Sequence, residues 1–328
     1  MTPRLLNAMK WYSKILYAPI GWALHLLALM PWWVLYLHAD AIYFLVYHVI
    51  GYRTKVVRQN LNECFPGKTE QERRAIEKEF YHHFADYFVE TIKLLHISDD
   101  DMRRRMVFHN AQLIDKAFDN NQSVVLYAAH YGNWEWVTSI TLWFDSRAHS
   151  DAVQGQVYQP LENEWFDNFF LRLRQRFHTV CISKKRILRE MITLKRQGRN
   201  MGIGFIADQH PWTNEEHHVL DFLNHPTAFV PGPEAIGRKL NCQAVFLDVQ
   251  KKKRGHYECT LVPLSDNCAN EPQGSITTRY ARLLEKRIVN EPAYWLWTHK
   301  RWKRPVAFPS GYTRDNELQF YANHSHNR

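Results

Sequence analysis

Two side chains that can exchange a proton lie close together in the segment YAAHYGNWEW (127–136): His130 and Glu135. A neutral imidazole can act as a general base, which is worth roughly 10²- to 10⁴-fold in rate. A carboxylate bonded to its second ring nitrogen would fix the tautomer and stabilise the imidazolium. We therefore predict that His130 takes the proton of an attacking alcohol and that Glu135 orients the ring. Direct acyl transfer from a thioester needs no nucleophilic serine, and the sequence has no Gly-x-Ser-x-Gly elbow.

The residues around His130 predict how the pair is positioned. The run SVVLYAA (123–129) is continuously apolar, which is typical of a central parallel strand. His130 follows at the carboxyl end of this strand, where open α/β sheets bind ligands. Gly132 permits a sharp turn, and Asn133 can cap a helix that has Glu135 in its first turn. On one continuous helix, residues five apart point about 140° away from each other. The two side chains therefore converge only if His130 precedes the helix.

Apolar runs and helical periodicity alternate from about residue 107 onward, which predicts an α/β fold with a mostly parallel central sheet flanked by helices. The last two strands are expected to form an antiparallel hairpin across Lys251–Gly255. A capping box of Thr69 and Glu72 begins an earlier helix that reaches about His96. The predicted strands are 123–129, 152–158, 201–207, 243–249 and 257–263, and helices are predicted at 186–198 and 232–240.

The N-terminal region predicts membrane attachment. Residues 15–37 contain no Asp, Glu, Lys or Arg, and a helix of this length spans about 35 Å, enough to cross a bilayer with some tilt. Tryptophan and tyrosine occur near both ends, like two interfacial belts. A second apolar stretch, 41–50, follows Asp40 and is too short to cross alone, so it is expected at the interface. The alternative is a buried helical hairpin of a soluble protein.

The predicted organisation has three parts: membrane-anchoring or interfacial helices in 1–58, an α/β domain in 59–308 and a poorly ordered polar tail in 309–328. Basic residues flank the apolar segment on both sides, so the positive-inside rule gives no orientation. The sequence has 42 Lys and Arg against 33 Asp and Glu, a formal charge of +9, which favours anionic partners. Its five cysteines form no C-x-x-C motif, which favours a reducing compartment and argues against a disulfide framework or structural zinc.

Several segments together resemble one family. HYGNWE (130–135) is similar to the acyltransferase block of the bacterial lipid A late acyltransferases, which are lauroyl and myristoyl transferases. The resemblance covers about residues 10–305, with its blocks in the same order. The further blocks are VYQPLENEWFDNFFLRLRQRF (157–177), GFIADQ (204–209), a long block at 222–264 and LEKRIVNEPAYWLWTHKRWKR (284–304).

This resemblance implies a glycerolipid acyltransferase fold, with His130 and Glu135 as the family's histidine and acidic residue. It implies an acyl donor that is acyl carrier protein or acyl-CoA, and an acceptor hydroxyl on a lipid A precursor. It places the enzyme at the inner membrane with the catalytic domain facing the cytoplasm. No cofactor, metal or nucleic acid is expected.

The chain departs from the family pattern at two positions. Gln159 stands where the family usually has the arginine of a Tyr-Arg-Pro sequence, and His178 stands where it often has glycine. Glutamine donates hydrogen bonds but carries no charge. Three explanations remain open: another cation substitutes, the acceptor differs, or activity is lost. The candidate substitutes are Arg174, Lys184, Lys185 and Arg238.

Other polar residues are predicted to bind substrate: Asn133, Gln159, Arg174, Asp208, Arg238, His299, Arg301 and Lys303. Asp208 follows a strand, and a salt bridge within the scaffold is an equal alternative. His299, Arg301 and Lys303 could hold phosphates or belong to a solvated basic segment. We interpret His82 and Asp86 as a pair on a helix surface, and the histidine-rich stretch 210–225 as a loop without metal.

Three functions remain open from the sequence. The leading hypothesis is O-acyl transfer to a lipid A precursor. The second is acyl transfer to another lipid, such as a lysophospholipid, an aminolipid or a glycolipid, and Gln159 is its main support. The third is a non-catalytic or catalytically impaired protein that binds anionic lipid or nucleic acid through its charge.

Overall fold

The computed structural model of the chain describes residues 11–145, 149–211 and 218–324. Its helices are α1 Trp11–Leu29, α2 Trp32–Tyr43, α3 Thr54–Cys64, α4 Glu70–Lys93, α5 Asp99–Arg105, α6 Gln112–Asp119, α7 Glu164–Arg174, α8 Ile187–Arg196, α9 Gly232–Leu240, α10 Ser275–Asn290 and α11 Glu317–His324. Its strands are β1 Met106–His109, β2 Val124–Ala128, β3 Val153–Tyr158, β4 Val180–Ser183, β5 Met201–Ile206, β6 Val219–Phe222, β7 His225–Ala228, β8 Gln243–Lys253 and β9 His256–Ser265.

Seven of these strands form one sheet in the order β1-β9-β8-β2-β5-β3-β4. All neighbours pair in parallel except β8 and β9, which form the predicted antiparallel hairpin. The predicted α/β fold with a mostly parallel sheet is therefore confirmed. The central strand β2 is buried along its whole length, as its continuous apolar run predicts. β1 and β4 were not predicted, because each has only four residues. β6 and β7 form a separate two-stranded sheet.

The apolar N-terminal region is broken at a different place from the one predicted. α1 ends at Leu29, and α2 begins at Trp32 after Pro31, whose backbone is extended. Proline has no N–H and clashes with the preceding turn, which kinks or breaks a helix. α1 continues past Pro19, but the chain breaks at Pro31. A π-helical segment, Phe44–Ile50, then extends α2. Among the described residues, the helix long and apolar enough to cross a membrane is Trp32–Ile50. The predictions of a single helix over 15–37 and of a separate piece over 41–50 were therefore wrong.

The C-terminal segment is ordered against the domain, so the prediction of a poorly ordered tail was wrong for residues 309–324. Arg282 of α10 pairs with Glu317 of α11. The Tyr321 hydroxyl donates to the carbonyl of Val219 (2.6 Å) and accepts from its N–H (2.8 Å). These few aromatic and charged contacts were not apparent from the polar composition of the C-terminal segment.

Candidate active site

His130 and Asp208 are brought together by the register of two neighbouring strands. β2 and β5 pair in parallel, with Ala128 opposite Ile206. Because His130 and Asp208 each lie two residues beyond this last pair, both side chains emerge at the same carboxyl edge of the sheet. The Ala207 N–H, which donates to the Ala128 carbonyl (3.1 Å), extends the pairing to the residue before Asp208.

Asp208 accepts three hydrogen bonds at this edge. The donors are the His130 backbone N–H (3.0 Å), His130 Nδ1 (2.8 Å) and Trp295 Nε1 (2.9 Å). Burial alone would raise the pKa of Asp208, but the charge of His130 and these hydrogen bonds outweigh burial and hold the pKa below its usual value. The ionised carboxylate places the proton on Nδ1. The Nε2 lone pair of His130 is then free to accept a proton, and the side chain is 19% exposed.

The expected contact between His130 and Glu135 is not formed. Both oxygens of Glu135 bond Arg174 instead, from Nε (2.8 Å) and from a terminal nitrogen (2.6 Å). Glu135 is buried at 3% exposure, and Arg174 lies at the end of α7. The acidic partner of His130 is therefore Asp208. The sequence signal that could have identified Asp208 is GFIAD (204–208), in which an acidic residue directly follows a predicted strand.

The open side of the His130 ring meets an amide and an aromatic wall. Gln209 Nε2 lies 3.3 Å from His130 Nε2. The Trp134 ring approaches the imidazole edge-on at 5.2 Å between centroids and stacks on Tyr87 at 4.1 Å. A substrate group that reaches Nε2 would therefore meet one hydrogen-bonding side chain and a flat apolar surface.

The turn after His130 requires a glycine. Gly132 has φ +60°, and an added Cβ would lie 2.8 Å from Cγ1 of Val249. Its N–H donates to the Tyr294 carbonyl (2.9 Å), and its carbonyl contacts His83 Nε2 at 3.2 Å. Both polar groups of the Gly132 backbone are thus held by distant parts of the chain.

Asn133 lies beneath this turn and is completely buried. Its side-chain amide donates to Glu90 (2.8 Å), and its oxygen accepts from the Trp136 N–H (3.3 Å). Glu90 also accepts from the Tyr257 hydroxyl at 2.8 Å. The helix that Asn133 was expected to cap is a 3₁₀ helix, Trp136–Trp143. Both polar groups of the Asn133 side chain are therefore bonded within the protein, where they support the turn, and neither is available to a substrate.

The surface pair expected on α4 is not formed either. His82 is exposed and stacks on Tyr43 at 3.5 Å between ring centroids. Asp86 is buried and bonds Arg254 (2.8 Å) and Lys251 (3.5 Å). The apolar face of α4 thus also carries buried charges, which its hydrophobic spacing did not indicate.

His299 and Arg301 lie near Asp208, whose charge raises the pKa of both. Burial nevertheless lowers the pKa of His299 to about 4 and that of Arg301 to about 10. Arg301 is 2% exposed, donates to the Ala228 carbonyl (2.5 Å) and lies over the Phe229 ring. It is therefore part of the core, whereas Lys303 is exposed.

The four cations considered as substitutes for the missing arginine lie in different parts of the structure. Gln159 is exposed just after β3. Arg174 binds Glu135 close to the turn, while Lys184 and Lys185 follow the edge strand β4. Arg238 is in the last turn of α9, before β8, and bonds the Glu271 carbonyl at the opposite edge of the sheet.

Two further sequence features have a structural outcome. His178 adopts φ +62°, a left-handed conformation that glycine adopts more easily, which is consistent with the glycine that the resemblance led us to expect there. Within the described ranges, no three His, Cys, Asp or Glu side chains converge as metal ligands. Residues 212–217 of the histidine-rich stretch lie outside those ranges.

Comparison with known proteins identifies the family. The sequence model of the bacterial lipid A biosynthesis acyltransferases matches residues 4–304, and the chain belongs to this family. It is 24% identical over 266 residues to the lipid A biosynthesis lauroyltransferase of Escherichia coli K12, covering 79% of this chain and 82% of that protein. It is 21% identical over 262 residues to the palmitoleoyltransferase of the same strain, with the same coverage. A lipid A biosynthesis acyltransferase of Haemophilus influenzae is 22% identical over 257 residues, covering 76% of this chain and 78% of that protein. The chain is accordingly an acyltransferase.

Proposed function

We propose that this acyltransferase moves a fatty acyl chain from a thioester to a hydroxyl of a lipid A precursor. The observation that carries the proposal is the His130 ring, whose Nδ1 is held by ionised Asp208 while the Nε2 lone pair lies on the partly exposed side, 3.3 Å from the Gln209 amide nitrogen that a substrate hydroxyl would displace. This arrangement suits a general base and needs no covalent acyl-enzyme intermediate.

The proposed reaction has two proton transfers through one nitrogen. The acceptor hydroxyl donates to Nε2 of His130 while its oxygen attacks the thioester carbonyl carbon, and Nε2 takes the proton. When the tetrahedral intermediate collapses, the carbon–sulfur bond breaks and the leaving thiolate takes the proton from Nε2. The products are an ester and a free thiol. Asp208 stabilises the transient imidazolium without leaving its three donors.

Gln209 is our candidate for stabilising the negative charge that develops during attack. Its amide nitrogen lies 3.3 Å from Nε2, so a modest shift would bring an N–H toward an oxygen bound there. Arg174 lies near the same turn, but its charge is already paired with Glu135.

The donor and the location are also proposals. The net charge of +9 favours an acidic carrier protein or acyl-CoA as the donor. The exposed apolar helix Trp32–Ile50 supports association with a membrane, and the resemblance to lipid A enzymes favours the inner membrane with the active site on the cytoplasmic side.

A second candidate is acyl transfer to another lipid acceptor. Its support is Gln159, which is exposed at the carboxyl end of β3 where the resemblance led us to expect an arginine. An acceptor with fewer anionic groups would have less need for a cation at this position.

The test measures turnover of purified protein in mixed micelles with acyl carrier thioester and a hydroxy-acylated lipid A precursor. We expect His130→Ala to lower kcat at least about 10²-fold, since a general base contributes roughly that much or more. His109→Ala is the matched control, because His109 is half-exposed on β1 and bonds Glu258. Equal turnover by wild type and His130→Ala would refute the mechanism, and activity only with a lysophospholipid would favour the second candidate.

A further inference from the structure

Exposed apolar side chains are concentrated on the N-terminal helices. Nine of them on α1 and on Trp32–Ile50 are each at least 58% exposed: Leu16, Trp22, Leu26, Leu29, Trp33, Leu37, Phe44, Val49 and Ile50. A water-soluble surface rarely carries so large a contiguous apolar area. The question is whether Trp32–Ile50, with 19 residues, crosses the bilayer or lies within its surface.

An ion pair near the middle of this helix argues against crossing. Asp40 bonds Arg254 at 2.5 Å. Arg254 lies at the tip of the β8–β9 hairpin, directly after Lys252 and Lys253, which are both exposed. If the helix crossed the membrane, this ion pair and both lysines would lie close to the bilayer centre, where charged groups are costly.

The face of the helix that is turned away from the exposed apolar side chains is attached to the domain along its length. Tyr36 bonds Glu90 (3.2 Å), Tyr43 stacks on His82 (3.5 Å), and Tyr47 stacks on Tyr81 (4.8 Å). These contacts run antiparallel along α4. The helix therefore cannot enter a bilayer at right angles without taking α4 and the hairpin with it.

We infer that Trp32–Ile50 lies in the plane of one leaflet, and that Lys252 and Lys253 contact anionic lipid headgroups. The inference deepens the proposed membrane association and does not depend on the reaction. β8 continues beyond the end of β2 at the edge that carries His130, so the hairpin tip and the active site face the same side. A lipid hydroxyl could then reach Nε2 without leaving the membrane surface.

Depth measurement tests this orientation without using activity. Single cysteines replace Trp33, Leu37, Ala41, Leu45 and Val49, all exposed, and carry a nitroxide label for power-saturation EPR in phosphatidylethanolamine–phosphatidylglycerol vesicles. The five native cysteines are free and buried, and unsubstituted protein measures their background. An in-plane helix gives similar depths at all five sites, about 5–10 Å below the headgroups. A span would place Ala41 near the centre and Trp33 and Val49 at opposite leaflets, about 24 Å apart, which would overturn the inference.

Vesicle partitioning tests the headgroup contact. Each lysine near an anionic surface contributes about five-fold to binding, so Lys252→Gln/Lys253→Gln should weaken binding to anionic vesicles about thirty-fold and leave binding to neutral vesicles unchanged. The control is Arg196→Gln/Lys239→Gln, which removes the same charge from exposed positions where α8 and α9 end, at the opposite edge of the sheet. Equal weakening by both double variants would contradict a specific contact at the hairpin. If the wild-type protein shows no acyl transfer but the depth and partitioning results are as expected, only the proposed reaction is refuted.

Discussion

At His130, the backbone N–H and the ring of one residue bond the two oxygens of the same carboxylate. The ring therefore cannot rotate without breaking its bond to Asp208, and Trp295 holds Asp208 from another direction. The local sequence was sufficient to predict that His130 follows the end of a buried strand and that Gly132 forms the turn. It could not predict Asp208 as the partner, because the two residues are 78 positions apart and meet only through the order of strands in the sheet.

The glycine at the turn gives a prediction at the same scale. Gly132→Ala should lower both kcat and stability, because a Cβ would meet Val249 Cγ1 at 2.8 Å and would also occupy a left-handed conformation. Gly132→Ala/Val249→Ala should recover part of the kcat, since it removes the clash. It keeps the backbone cost of about 1–2 kcal/mol and also loses the buried methyl groups of Val249, so its stability should stay below that of wild type. Turnover and chemical denaturation of both variants check this. A single variant as active and stable as wild type would contradict the role of the turn.

At the scale of elements, the Glu135–Arg174 pair connects the turn before the 3₁₀ helix to the end of α7. Glu135→Ala should destabilise the protein by about 3–5 kcal/mol, because it leaves a largely buried cation without its partner. Glu135→Leu/Arg174→Met, which removes both charges, should recover most of that loss. The free energy of unfolding in denaturant measures both. If the double variant is no more stable than the single one, the pair is not the source of the effect.

A second prediction concerns the support that α4 gives to the turn. Glu90→Leu would leave the Asn133 amide and the Tyr257 hydroxyl buried without an acceptor, at about 1–3 kcal/mol each. Glu90→Gln keeps an acceptor oxygen and should lose much less stability. Because Asn133 fixes the turn after His130, the Leu variant should also lower kcat while KM changes little. A similar loss in both variants would instead indicate that the negative charge matters.

Sequence patterns predicted some helices and strands correctly and missed others, for physical reasons. The long apolar strands and the capping box at Thr69 were identifiable locally, and the capping box forms as expected. The break before α2 was also encoded locally, by Pro31, but the apolar composition of residues 15–37 concealed it. The docking of α11 depends on partners such as Val219 that are about 100 residues away, so no local pattern indicated it.

For the whole molecule, one buried and one partly buried histidine contribute to the dependence of stability on pH. Burial lowers the pKa of His218 to about 3 and that of His299 to about 4. The unfolded chain binds these protons at about pH 6.5, and the folded chain does so only near pH 3–4. The unfolded state therefore holds more protons in between, and stability falls as the pH is lowered through this range.

We accordingly expect Tm to fall steadily between pH 6.5 and pH 4. His218→Gln/His299→Gln should show a weaker pH dependence over the same range, even if it is less stable at pH 7.5. Thermal unfolding at several pH values in one detergent measures the slope. Equal slopes for the double variant and wild type would exclude these histidines as the cause.

The central claim is that Asp208, and not Glu135, holds the catalytic base. The most direct measurement compares kcat for Asp208→Asn and Glu135→Gln, with acyl carrier thioester and lipid A precursor, in preparations shown to be folded. Loss of an orienting carboxylate costs about 10⁴-fold in a comparable site, so we expect a decrease of about 10³- to 10⁴-fold for Asp208→Asn and less than about 10-fold for Glu135→Gln. The reverse order, with Asp208→Asn nearly as active as wild type, would contradict the account.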